Sequence, residues 1–110
     1  GLVSNTDDHP RNHGFIYQGH GYRLSPVYDL VPKPETGSLR YLAMPFGVQG
    51  RVFNLENLIS MSDVFDLSQE EASSIFENMK KTISNWRSFY RSQGVSTADL
   101  EYLENAFNHW

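Results

Sequence analysis

Three side chains in the first thirty residues have the types and spacing for chemistry on a phosphate. Asp7 and Asn12 stand in a D-x-x-x-x-N spacing inside "NTDDHPRN" (residues 5–12), and Asp29 follows in "SPVYDL" (residues 25–30). Two short apolar segments separate them, flanking "QGHG", whose glycines suit a hairpin turn. The order is acid, asparagine, hairpin, acid. Phosphoryl transfer by kinases needs that set. One aspartate accepts the proton of the attacking hydroxyl, while an asparagine five residues on and a second aspartate hold Mg2+ against the phosphates. Oxygen ligands suit this hard cation, and a hairpin brings the two ends together. Asp29 is flanked by Val27, Tyr28, Leu30 and Val31, so it reads as a lone charge among apolar neighbours. A carboxylate so placed needs a cation or donors to stay ionised.

Plainer readings exist for the same residues. Asp and Asn favour turns because they bond their own backbone, and Asp29 would serve as a cap or turn residue ahead of Pro32. His9 and His13 are four apart, a zinc-binding spacing on a helix, but Pro10 and Gly14 argue against a helix there. His20 reads as a solvated turn residue.

The elements that must position these groups fall into two parts. Phe15–Tyr17 and Tyr22–Leu24 read as the strands of the hairpin, "LVPKPETGS" as a loop, and Leu39–Met44 as one more short strand ended by Pro45 and Gly47. The second half is helical. Asn54 caps a short helix through Leu55, Leu58 and Ile59. Ser68 and Glu71 form a capping box. The stripe Ala72, Ile75, Phe76, Met79, Ile83, Trp86 and Tyr90 then predicts a single helix to about Gln93, stopped at Gly94. Ser96 and Asp99 cap a last helix, with Leu100, Leu103, Phe107 and Trp110 on its apolar face. Trp86, Phe89 and Tyr90 are expected in the core.

The 110 residues suffice for one modest core. The formal charge of −4 arises entirely after residue 50, where nine acids face five bases; before it, four balance four. No basic stripe marks a nucleic-acid surface. The absence of cysteine excludes disulfides and thiolate metal sites. No apolar run is long enough to span a bilayer and no signal peptide is visible, so the cytoplasm is the default compartment. The chain opens on Gly1 and runs at once into the polar cluster, as expected of a piece of a longer protein.

The combination "NTDDHPRNHGFIY…YRLSPVYDLVP" resembles the carboxy-terminal domain of HipA-type serine/threonine kinases, the toxins of bacterial toxin–antitoxin pairs. That family has an N-x-D-x-H-x-K-N loop, a strand and a Tyr-Asp-[Leu/Ile] segment. "LRYLAMPFG" (residues 39–47) is similar to its Leu-Ala-Met stretch. The resemblance implies an α+β, mostly α fold, with the hairpin and loops packed on a carboxy-terminal helical bundle as part of a protein-kinase-like larger lobe. Residues 1–52 would hold the catalytic loop, hairpin and metal-binding loop, and residues 53–110 the helical part. It implies Asp7 as catalytic base, Asn12 and Asp29 as Mg2+ ligands, and His9 and Arg11 as phosphate-contacting or loop-shaping residues. Arg11 replaces the family's usual lysine, keeping the charge but not the geometry. Asp8 adds a negative charge beside the site. The implied reaction moves the γ-phosphoryl of ATP to a protein hydroxyl, and the implied partner is a DNA-binding antitoxin of the HipB type. The phosphate-covering loop and strand lysine of a kinase are not found in these residues, so the fragment alone is expected to be inactive. Two alternatives stand beside this reading: a non-catalytic protein-interaction domain of the same fold, and a small metal-dependent hydrolase using Asp7, Asp8, His9 and His13.

Overall fold

The structure, a computed structural model, describes residues 1–34, 37 and 39–107. Ser68 and Glu71 set the start of its longest helix. The Glu71 N–H donates to Ser68 Oγ (3.2 Å), and the Glu71 carboxylate accepts from the Ser68 N–H (2.8 Å), closing the capping box. In chain order the helices are α1 (Leu55–Ile59), α2 (Gln69–Ile83), α3 (Trp86–Ser92) and α4 (Thr97–Phe107), with single 3-10 turns at Pro10–Asn12 and Ser62–Phe65. Strands β1 (Phe15–Tyr17) and β2 (Tyr22–Leu24) pair antiparallel, Ile16 opposite Arg23. Gly19 supplies the positive φ of +84° in their turn. The chain is thus a mixed, mostly helical α+β fold, and no described helix is long and apolar enough to cross a membrane.

The single helix expected to reach Gln93 is two helices. After Ile83 the chain turns at Ser84 and Asn85 before α3 begins. Ser84 Oγ donates to the Lys81 carbonyl at 2.7 Å, and Thr82 Oγ1 to the Asn78 carbonyl at 3.0 Å. Such back-bonding competes with the helical ladder and bends it. The apolar period ran through the break unaltered, because α3 also turns Trp86 inward. At its end, the Val95 N–H reaches the Tyr90 carbonyl and the Gly94 N–H the Arg91 carbonyl, with Gly94 at φ +84°, a Schellman stop at the expected glycine.

The expected strand at Leu39–Met44 is an isolated bridge, Tyr41 opposite Val52. Flanking bonds join Leu42 N to Arg51 O and Phe53 N to Arg40 O at 2.8 Å. Pro45 has no N–H to donate, and beyond it the two sides meet again at a second isolated bridge, Gly47 opposite Gly50, with the Phe46 N–H donating to the Gly50 carbonyl at 3.2 Å.

The core lies between α3 and α4. Trp86 stacks on Phe107 with ring centroids 4.3 Å apart, and Tyr90 meets both rings edge-on. Leu100 and Ala106 are fully buried beside them, and Val3, Ile83, Val95 and Leu103 pack around the cluster. Phe89, expected in this core, is 60% exposed; its neighbours on α3 take the inward positions. Trp110 lies outside the described residues. A second apolar run links Phe46, Phe53 and Phe76 between the loop and α2.

The amino-terminal residues join this core through polar contacts. The Ser4 hydroxyl donates to the Ala106 carbonyl at 2.8 Å, and the Arg40 guanidinium to the Asn105 carbonyl at 3.1 Å. Both acceptors are backbone carbonyls of α4. The hairpin is a contrast to the expectation that it packs on the bundle: every residue of β1 and β2 is exposed. The radius of gyration, 15.6 Å, exceeds the about 13 Å of a compact chain near this length, in keeping with a projecting hairpin.

Candidate functional site

Proline and asparagine shape the loop that carries Asp7. Pro10 sits at the first position of a 3-10 turn, where a missing N–H costs nothing. The His9 carbonyl accepts the Asn12 N–H at 2.9 Å, and the Asp7 carbonyl accepts the His9 N–H at 3.0 Å. Asn12 closes the loop: its Nδ2 donates to the Asp7 carbonyl at 3.2 Å. The D-x-x-x-x-N spacing therefore corresponds to a physical contact between the two residues, made by the asparagine side chain.

The segment after the hairpin returns to this loop. The hairpin base is closed by Ser25 N–H donating to the Gly14 carbonyl at 2.8 Å. Beyond it, the Tyr28 hydroxyl donates to the Arg11 carbonyl at 2.8 Å. Asp29 itself has φ +56°, in the left-handed region, where Asp and Asn are among the few non-glycine residues that settle. Asn5, buried, spans both sides of the site. Its Nδ2 donates to the Asp29 carbonyl at 3.5 Å and its Oδ1 accepts the Asp7 N–H at 3.4 Å.

Asp7 and Asp29, 22 residues apart in sequence, line one cleft of 520 Å3 together with Asn5, Lys33 and, from α4, Tyr102. Asn12 lines an adjoining cleft of 230 Å3 with Asp8, Tyr28 and again Asn5. Asn5 is thus the shared wall between the two aspartates and Asn12. Both Asp7 and Asp29 are exposed. The expected need of Asp29 for a cation or donors among its apolar neighbours is relieved by water: Val27, Tyr28, Leu30 and Val31 are themselves exposed, as is Asp29. Apolar residue types beside a charge do not by themselves exclude water.

His9 shapes the loop through its backbone, and its ring Nδ1 is buried with no hydrogen-bond partner among the described residues. Arg11 is exposed and contributes its carbonyl to Tyr28. His13 and Asp8 approach to 3.6 Å, an ion pair when the imidazole is protonated, and the His13 Nδ1 lies 3.3 Å from the His9 carbonyl. Both histidines flank the 3-10 turn in extended conformation, which removes the helical zinc spacing. Among the described residues no three His, Cys, Asp or Glu side chains converge as a metal site of the hydrolase kind needs.

Sequence reasoning gave no role to Ser4, Asn5 or Tyr28. Asn5 and Tyr28 were visible only as flanking letters of the two motifs, and Ser4 carried no signal, because its partner is on the last helix.

Residues 1–86 match the family described as the HipA-like C-terminal domain. No curated protein and no solved structure matches the chain.

Proposed function

The chain belongs to the HipA-like C-terminal domain family, and from that premise we propose that it is the catalytic-loop and Mg2+-binding part of a toxin-type serine/threonine protein kinase. The observation that carries this reading is the shared cleft of Asp7 and Asp29, with Asn12 bonded to the Asp7 backbone. Asp7 is exposed, as a base that must meet an incoming hydroxyl has to be, and it takes the proton of that hydroxyl. Asn12 spends its Nδ2 on the Asp7 carbonyl, which leaves Oδ1 as its ligand atom. With the Asp29 carboxylate this makes a set of oxygen donors suited to Mg2+. The chemistry supplied by bound Mg2+ is neutralisation of charge on the phosphates of ATP. Arg11 and His9 shape the loop from its backbone side. The nucleotide grip belongs to another part of the parent protein, so these 110 residues alone are inactive. The acceptor is a protein hydroxyl, and the parent is held in check by a DNA-binding antitoxin of the HipB type in the cytoplasm.

The test is phosphoryl transfer by the intact protein. Mg2+-dependent transfer from ATP to serine or threonine, read by mass spectrometry, is the expected result. No transfer at any Mg2+ concentration would contradict it. The interaction-domain reading would then lead, favoured by the exposed aromatic hairpin, where Phe15 is 68% and Tyr22 74% accessible.

A further inference from the structure

We propose that Tyr28 is a positioning residue that sets the distance between Asn12 and Asp29; the inference rests on the phosphoryl-transfer reading above. The two ligand-bearing segments lie on either side of a hairpin whose strands are three residues long and exposed throughout. So short a hairpin, with no face packed on a core, holds its own register but does little to fix the chain beyond its base. Past the closing bond at Ser25 and Gly14, two side-chain bonds join the segments: the long one from Asn5 to the Asp29 carbonyl, 3.5 Å, and the Tyr28 hydroxyl on the Arg11 carbonyl, 2.8 Å. Arg11 is bonded to Asn12 and Tyr28 to Asp29. One hydrogen bond therefore couples the residues immediately before each ligand, a single Cα step of about 3.8 Å from either.

The geometry makes this contact consequential. Asp29 holds a left-handed backbone, a conformation that persists only where its surroundings enforce it. The preceding side chain, Tyr28, is anchored by its bond to Arg11, and the Asp29 carbonyl receives the long bond from Asn5 at 3.5 Å. Of the two, the tyrosine bond has the better length. The Tyr28 ring also lines the cleft that holds Asn12, so the side chain spans from one ligand segment to the other. A ligand pair on two loops binds a small, geometrically demanding cation such as Mg2+ only when the loops are held at a fixed separation. Groups that orient ligands without touching the metal typically change affinity by about 10- to 100-fold.

The experiment is Tyr28→Phe in the intact protein, which deletes the hydroxyl and keeps the ring. Mn2+ binding, read by electron paramagnetic resonance with a non-hydrolysable ATP analogue, should weaken by about 10-fold or more. The Mg2+ concentration for half-maximal transfer should rise in parallel, with kcat recovering at saturating metal and the melting temperature unchanged. On an Asn12→Ala background, Tyr28→Phe should add no further loss, because the coupled ligand is already gone. If the wild type transfers phosphate and Tyr28→Phe keeps the same metal affinity, the positioning role is wrong and the kinase reading stands. An equal loss on the Asn12→Ala background also overturns it. If the wild type neither transfers phosphate nor binds metal, the kinase reading falls and this inference with it.

Discussion

The Ser4 hydroxyl and the Ala106 carbonyl, 102 residues apart, share a buried hydrogen bond of 2.8 Å. Ser4 is fully buried with φ +54°, immediately before Asn5 and three residues before Asp7. The bond ties the start of the Asp7 loop to the carboxy-terminal helix α4. It also makes α4, which follows the family match at residues 1–86, a structural part of the site region. Ser4→Ala should therefore lower stability by about 0.5–1.5 kcal/mol, the net contribution of a typical intramolecular hydrogen bond. Urea unfolding monitored by tryptophan fluorescence checks it; an unchanged midpoint would mean that water replaces the hydroxyl.

Asn57 organises the loop between the hairpin half and the helices. It is fully buried, accepts the Gln49 N–H at 2.7 Å and donates to the carbonyls of Val52 (2.8 Å) and Gly50 (3.1 Å). Its own N–H is capped by Asn54 at 2.7 Å. Asn57→Ala removes the side-chain partner of three part-buried backbone groups and should cost about 1–3 kcal/mol. Gly47 lies against the same residue, so that a Cβ there would collide with the Asn57 backbone oxygen and Oδ1. Gly47→Ala should disrupt this loop too, measured by the same unfolding assay. Wild-type stability in both variants would remove Asn57 from this role.

The Asp29 backbone sets a series. Asn tolerates the left-handed region as Asp does, whereas Ala does not. Asp29→Asn should melt like the wild type, and Asp29→Ala should lose about 1–2 kcal/mol. In the intact protein, Asp29→Asn should raise the Mg2+ requirement, because an anionic oxygen is replaced by a neutral one. Equal melts for Ala and Asn would show that φ at this position is relaxed in solution.

Glu71 gives a pH signature. Hydrogen bonds from the Ser68 side chain and backbone hold its carboxyl below the ordinary value of 4.5. The unfolded chain therefore takes up the proton first on acidification. The capping contribution is fully present above about pH 4.5 and is lost as pH falls through the lowered folded value. Comparing thermal melts, Glu71→Ala should be less stable than wild type at pH 7, and the gap should close on acidification. A gap independent of pH would mean that the carboxylate charge is not what Ser68 recognises.

Legibility followed the range of the interactions. Local chemistry was readable: the Ser68–Glu71 box, the Asn54 cap, the stop at Gly94 and the hairpin turn at Gly19 all depend on residues within a few positions. The Asp7–Asn12 spacing was readable for the same reason, since the contact closes within five residues. Ser4 and Arg40 were not readable, because each is a polar residue buried by partners that only the fold brings to it, 102 and 65 residues away in sequence. The break at Ser84 was hidden by an apolar period that both helices continue. The compensation expected for Asp29 was not needed, because apolar residue types beside a charge do not report solvent access, and here those neighbours are exposed.

The central claim is that Asp7 is the base of a phosphoryl transfer. The most direct measurement is turnover and ATP affinity of the intact protein with Asp7→Ala. Turnover should fall by about 10²–10⁴-fold, the range for a positioned general base, while ATP affinity changes little, because the base meets the acceptor hydroxyl and not the nucleotide. Near-normal turnover in Asp7→Ala would contradict the account.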